Sequence, residues 1–162
     1  MRPIAPLGIP IAIALMLAAC DPHPQEKLVY AKDQKALDAA IAQARANLPV
    51  FWSNFDAAQS KEEYSVKVSI PTPPRGEELI WMDVTSHDGD EVSGVLINEP
   101  VNFPGHDGDK FTKKATQIVD WAYPKNGKLY GHFTTRVLSS QVSPAQRAEA
   151  EAMMWPTALE PH

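Results

Sequence analysis

Between Ile118 and Arg136 the chain reads IVDWAYPKNGKLYGHFTTR, and this stretch narrows the possible folds more than any other. Apolar residues run into Asp120 and Trp121, a Pro-Lys-Asn-Gly turn at positions 124–127 reverses direction, and a second strand returns to Gly131, Thr134 and Arg136. Asn-Gly supplies the positive φ that a tight hairpin needs, so two antiparallel strands are expected side by side. Such a hairpin has apolar faces to cover, and the rest of the chain must do the covering.

Asp120 interrupts an apolar strand, and a buried carboxylate must find a partner. Two readings are open. In the first, Asp120 pairs with Arg136 or with backbone amides, forming a polar lock that fixes the hairpin, with Trp81 and Trp121 in the core. In the second, Arg136 holds a small anionic or peptide ligand against Trp81 or Trp121, with Thr134 beside it.

Periodicity supplies the remaining elements. Leu37, Ala40, Ile41, Ala44 and Leu48 recur on one face of a helix over about 33–48, with Asp33 as its N-cap. Pro49 closes that helix or opens a shorter one, and Phe51, Trp52 and Phe55 continue the apolar stripe into the core. From Tyr64 the period falls to two. Tyr64, Val66, Val68 and Ile70 face inward, which puts Ser65, Lys67 and Ser69 on the solvent side. Strands follow at 79–84, 91–97, 110–112, 116–122 and 128–133. Ser143-Pro144-Ala145-Gln146 is a capping box with proline at the first helical position, and that helix carries Ala145, Ala148, Ala152 and Trp155 on one stripe. The expected fold is α+β: an antiparallel β-meander of about five or six strands with an N-terminal amphipathic helix and a C-terminal helix packed on it.

The first twenty residues read as an address. Arg2 is a positive n-region, the following apolar run is too short to span a membrane comfortably, and it ends Leu17-Ala18-Ala19-Cys20. This resembles the lipobox of bacterial lipoproteins, which implies a signal peptide over 1–19 and a lipid on Cys20. Residues 20–31 then form a tether, residues 32–140 the domain, and 141–162 the C-terminal helix and tail. Cys20 is the sole cysteine, so no internal disulfide is possible. The resemblance places the protein at the bacterial cell envelope, membrane-anchored and facing the periplasm, and Asp21 resembles an inner-membrane retention signal.

Motif-based chemistry is sparse. HDGD occurs twice, at 87–90 and 106–109, but read as a calcium loop the first copy puts Val92 and Ser93 at ligand and glycine positions, so both copies are expected to be turns. There is no G-x-S-x-G, no H-E-x-x-H and no glycine-rich phosphate loop, so no metal, cofactor or catalytic residue is expected. Glu77 and Glu78 are expected to be solvated after their loop. A net charge of −5 argues against nucleic acid as a partner.

Lys67, Glu78-Leu79-Ile80-Trp81, Gly94-Val95-Leu96-Ile97-Asn98-Glu99-Pro100, Gly108-Asp109, Ile118-Val119-Asp120-Trp121 and Gly131-His132-Phe133-Thr134-Thr135-Arg136 occur in that order. Together they resemble the YegJ-like bacterial domain, domain of unknown function 2314, over about 36–139. The resemblance implies a small α+β domain and transfers no site residues. Two functions are then expected of different kinds. One is a non-enzymatic envelope module that binds a protein, a basic one given the net charge, as an immunity or inhibitor protein does. The other is a small envelope hydrolase or carbohydrate-binding domain with a cleft near Trp81, Asp120 and Arg136.

Overall fold

The computed structural model describes residues 32–74 and 76–161. The expected signal peptide, Cys20, Asp21 and tether lie outside the described residues. Along the chain come α1 (Gln34–Ala46), α2 (Leu48–Ala57), β1 (Ser65–Pro71), β2 (Glu77–His87), β3 (Glu91–Leu96), β4 (Lys110–Lys114), β5 (Ile118–Lys125), β6 (Lys128–Gly131), α3 (Phe133–Ser139) and α4 (Pro144–Met153).

The strands make one six-stranded antiparallel sheet in the order β4-β3-β2-β1-β5-β6, an α+β fold as expected. Strands β1 to β4 run as a meander. A 3-10 turn at Ala115–Gln117 then carries the chain back, and β5 pairs with the other side of β1. The hairpin of β5 and β6 therefore lies at the far end of the sheet, and β1 lies in its interior.

That placement corrects the two-residue alternation read in β1. Every residue from Ser65 to Ile70 is buried, Lys67 completely. An interior strand covered on both faces has no solvent side to offer. One face carries Val66, Val68, Ile80, Met82, Trp121 and Tyr123, which pack with Phe51, Phe55, Ala40 and Ala44 into the main core. Asp33 caps α1 through the Ala36 amide, 2.9 Å away. The Trp121 indole donates to the Ala44 carbonyl at 2.8 Å and Arg45 Nε to the Ile118 carbonyl at 2.9 Å, so α1 is bonded to β5 as well as packed on it.

Two further expectations are corrected. The returning strand ends at Gly131 rather than Phe133, and Phe133–Ser139 is a helix. Gly131 has φ +85°, and a Cβ there would overlap the Trp121 carbonyl oxygen, so the close crossing of the two strands requires glycine. His132, also left-handed, turns the chain into α3. The capping box of α4 forms as read, with Gln146 N donating to Ser143 Oγ and Ser143 N to Gln146 Oε1. The helix nevertheless buries Ala150 rather than Ala145, Ala148 and Ala152, which are exposed. Alanine is frequent around this whole helix, so it does not mark one face.

After α4 the chain lies along the outer edge of β6. Met154 bridges to Leu129, Trp155 N donates to the Leu129 carbonyl at 3.0 Å, and Gly131 N donates to Ala158 O at 2.8 Å. Glu160 accepts from Tyr123 Oη at 2.9 Å and pairs with the Lys125 ammonium. This strap covers an edge that would otherwise expose unpaired backbone groups.

Candidate functional site

The junction of β5, β6 and α3 meets β1 at a relay of three polar side chains. Lys67 Nζ donates to Thr134 Oγ1 at 2.9 Å, and Thr134 Oγ1 donates to Asp120 Oδ2 at 2.6 Å. Asp120 also accepts from three backbone amides: Trp121 N at 2.8 Å, Phe133 N at 3.0 Å and Thr134 N at 2.7 Å. Lys67, Asp120 and Thr134 are all completely buried. Each member is placed by a local requirement. Lys67 and Asp120 are cross-strand partners in the β1–β5 register, and the left-handed turn at Gly131 and His132 aims the first amides of α3 at the carboxylate.

Aromatic rings close over the lysine. Trp81, directly opposite Lys67 on β2, places its ring 4.8 Å from Nζ, and the same ring lies 4.8 Å from His132. His132 Nδ1 is 3.2 Å from Thr135 Oγ1. Burial pushes the Asp120 carboxyl above its ordinary range, while the Lys67 charge and the hydrogen bonds from Thr134 and Trp121 pull it back. Chemically the trio is the set that would activate a threonine hydroxyl. Here the hydroxyl donates a hydrogen bond to Asp120 and accepts one from Lys67, and all three groups are sealed from solvent. The arrangement fixes charge inside the fold.

The residues singled out from sequence separate into three places. Asp120 and Thr134 share the relay, with Trp81 against its lysine. Trp121 faces the other way, fully buried among Phe51, Tyr123 and Phe133. Arg136 makes no hydrogen bond to Asp120. Its guanidinium donates to four backbone carbonyls: Gly131 at 3.1 Å, Trp155 at 2.8 Å, Pro156 at 3.3 Å and Thr157 at 3.3 Å. Arginine thus clasps the C-terminal strap to the hairpin.

Sequence reasoning missed Lys67, which stands among the residues carrying the family resemblance but was assigned to solvent by its spacing. It also missed Glu78, which is buried rather than solvated and accepts from Val101 N at 2.8 Å and Asn102 N at 2.7 Å. The HDGD segments lie in turns, with Gly89 and Gly108 at positive φ. Asp88 Oδ1 accepts from Asp90 N and Glu91 N. His106 Nδ1 lies 2.8 Å from Glu99 Oε1, and Asp107 N donates to Glu99 Oε2 at 3.0 Å. Among the described residues no three His, Cys, Asp or Glu side chains converge to hold a metal ion, and no helix is long and apolar enough to cross a membrane.

An antiparallel sheet with helices on it and a sealed polar junction define a small α+β domain. The chain belongs to the bacterial family described as "Uncharacterized protein conserved in bacteria", domain of unknown function 2314, whose profile matches residues 34–155. It is 27% identical over 139 residues to a putative ankyrin repeat protein of Neisseria meningitidis serogroup B, a match covering 78% of this chain and 54% of that protein. It is 29% identical over 103 residues to the uncharacterized protein YegJ of Escherichia coli, covering 63% of this chain and 66% of that one. The chain therefore spans about half the length of the first relative and about two thirds of the second. No solved structure matches it.

Proposed function

We propose that this protein is a non-catalytic protein-binding module held at a bacterial cell envelope by a lipid on Cys20. The observation that carries the binding half is the sealed relay. Asp120 and Thr134, which invited a catalytic reading, are completely buried and bonded to each other, so the surface is left to act. A hydrolase or carbohydrate cleft at Trp81, Asp120 and Arg136 draws no support from this geometry, since two of the three are buried and the third is committed to the strap. The anchoring half rests on the lipobox.

The two halves are tested separately. Cells fed a tagged fatty acid should label the wild-type chain and leave Cys20→Ser unlabelled and released from membranes; equal labelling of the two would end the anchoring claim. Photo-crosslinking residues placed one at a time at exposed positions should trap a discrete adduct in living cells. A surface that traps nothing at any position would end the binding claim.

A further inference from the structure

The two ends of the sheet are finished differently. The β6 edge is occupied by the chain's own strap, whereas β4 is the last strand at the opposite end, and no described residue pairs along its outer side. Its sequence is Lys110-Phe111-Thr112-Lys113-Lys114, three lysines within five residues of a chain whose net charge is −5.

The phase of the edge can be worked out. Leu96 N donates to Asp109 O, and Ala115 N donates to Asp90 O, which sets the bonded positions at the two ends of the β3–β4 ladder. Bonded and non-bonded pairs alternate in an antiparallel ladder, so Phe111 and Lys113 spend their backbone groups on β3 while Lys110, Thr112 and Lys114 turn theirs outward. Lys114 N is met by Gln117 Oε1 at 3.3 Å. Lys110 and Thr112 remain as the outward-facing pair. Their side chains are exposed, while Phe111 stacks on Phe103 from the other face with the Lys113 ammonium over its ring.

We propose that the β4 edge takes an extended acidic segment of a partner protein as a seventh strand, with main-chain bonds to Lys110 and Thr112 and carboxylates beside Lys110 and Lys114. This rests on the protein-binding reading above and narrows it to one edge and one chemistry. Charge selects the occupant. A second copy pairing antiparallel about Thr112 would set Lys110 against Lys114, and like charges directly opposite each other destabilise a sheet. A basic partner, expected from the whole-chain balance, would meet three lysines here. An acidic strand gains both cross-strand charge pairs and backbone bonds, the mode by which exposed edges recruit peptides. Edge lysines also serve simply to prevent pairing, and the experiment must separate the two roles.

The probe is a capped synthetic octapeptide of alternating Glu and Val, titrated into the 15N-labelled domain, with a Lys-Val octapeptide as its control. The acidic peptide should slow exchange of the Lys110 and Thr112 amides and weaken about tenfold on raising salt from low to near-molar levels; the basic peptide should do neither. K110E with K114E, at exposed positions, should reverse the preference. No protection by the acidic peptide, or equal protection by both, overturns the proposal and leaves the lysines as guards of an idle edge. In cells, crosslinked adducts that persist unchanged in the K110E/K114E variant would retain the binding module and remove this edge from it.

Discussion

Asp120 and Glu99 are built alike and placed differently. Each carboxylate accepts from the backbone, three amides for Asp120 and one for Glu99, and contacts one side chain, a threonine hydroxyl in the first case and a histidine ring in the second. Asp120 is completely buried, with Lys67 joined to it through the Thr134 hydroxyl, whereas the Glu99–His106 pair is exposed on both sides. The same bonds therefore do different work. In the interior an unpaired charge has no water to fall back on, so every donor around Asp120 is obligatory. At the surface water replaces a lost partner, and the pair governs only which protons the loop holds.

The largest effect that would break this comparison is at Asp120 itself. Asp120→Asn turns one of its two acceptor oxygens into a donor facing two donors and removes the buried negative charge near Lys67, and should cost about 3–5 kcal/mol in urea unfolding. A loss under about 1 kcal/mol would mean that the interior tolerates what the surface does. Thr134→Val keeps the shape and removes the hydroxyl between lysine and aspartate, for a loss of about 1–3 kcal/mol. Arg136→Ala should cost less, about 1–2 kcal/mol, while fast amide exchange appears at Gly131, whose bond to Ala158 it supports. Unchanged exchange there would show that the strap holds without its clasp.

The smallest effect sharpens the other half. The Glu99 bond holds the His106 proton above the ordinary histidine range, and the Asp107 amide, then His106, hold Glu99 below the ordinary carboxylate range. The pair is fully charged between those two values. Its contribution fades as pH rises through the raised His106 value, and again as pH falls through the lowered Glu99 value. Glu99→Gln should bring the His106 ring titration, followed by NMR, back down to the ordinary range without shifting the unfolding midpoint. A shifted midpoint would make the loop a structural site after all.

What the sequence disclosed follows from the same difference. Asp120 was legible as an anomaly because an acid inside IVDWAY breaks an apolar run. Lys67 was not, because Val66-Lys67-Val68 is the pattern of any half-exposed strand; only the return of β5 to the far side of β1 buries it. The turn at Pro124–Gly127 and both helix caps were readable because each depends on a few adjacent residues. Helix α3 was hidden: Phe133-Thr134-Thr135 has strand-forming composition, and helix forms there because Gly131 and His132 turn the chain and Asp120 holds the first amides. Arg136 could be picked out as important, but three of its four carbonyl partners lie some twenty residues further on, beyond any local pattern.

The strap also carries a timetable. The chain emerges from its N-terminal end, so the outer side of β6 has no partner until residues 154–160 have been made. A nascent domain complete through α4 would still present an open strand at this end of the sheet, and the Arg136 side chain would wait for carbonyls not yet joined to the chain. Residues 154–160, made after α4, complete the sheet.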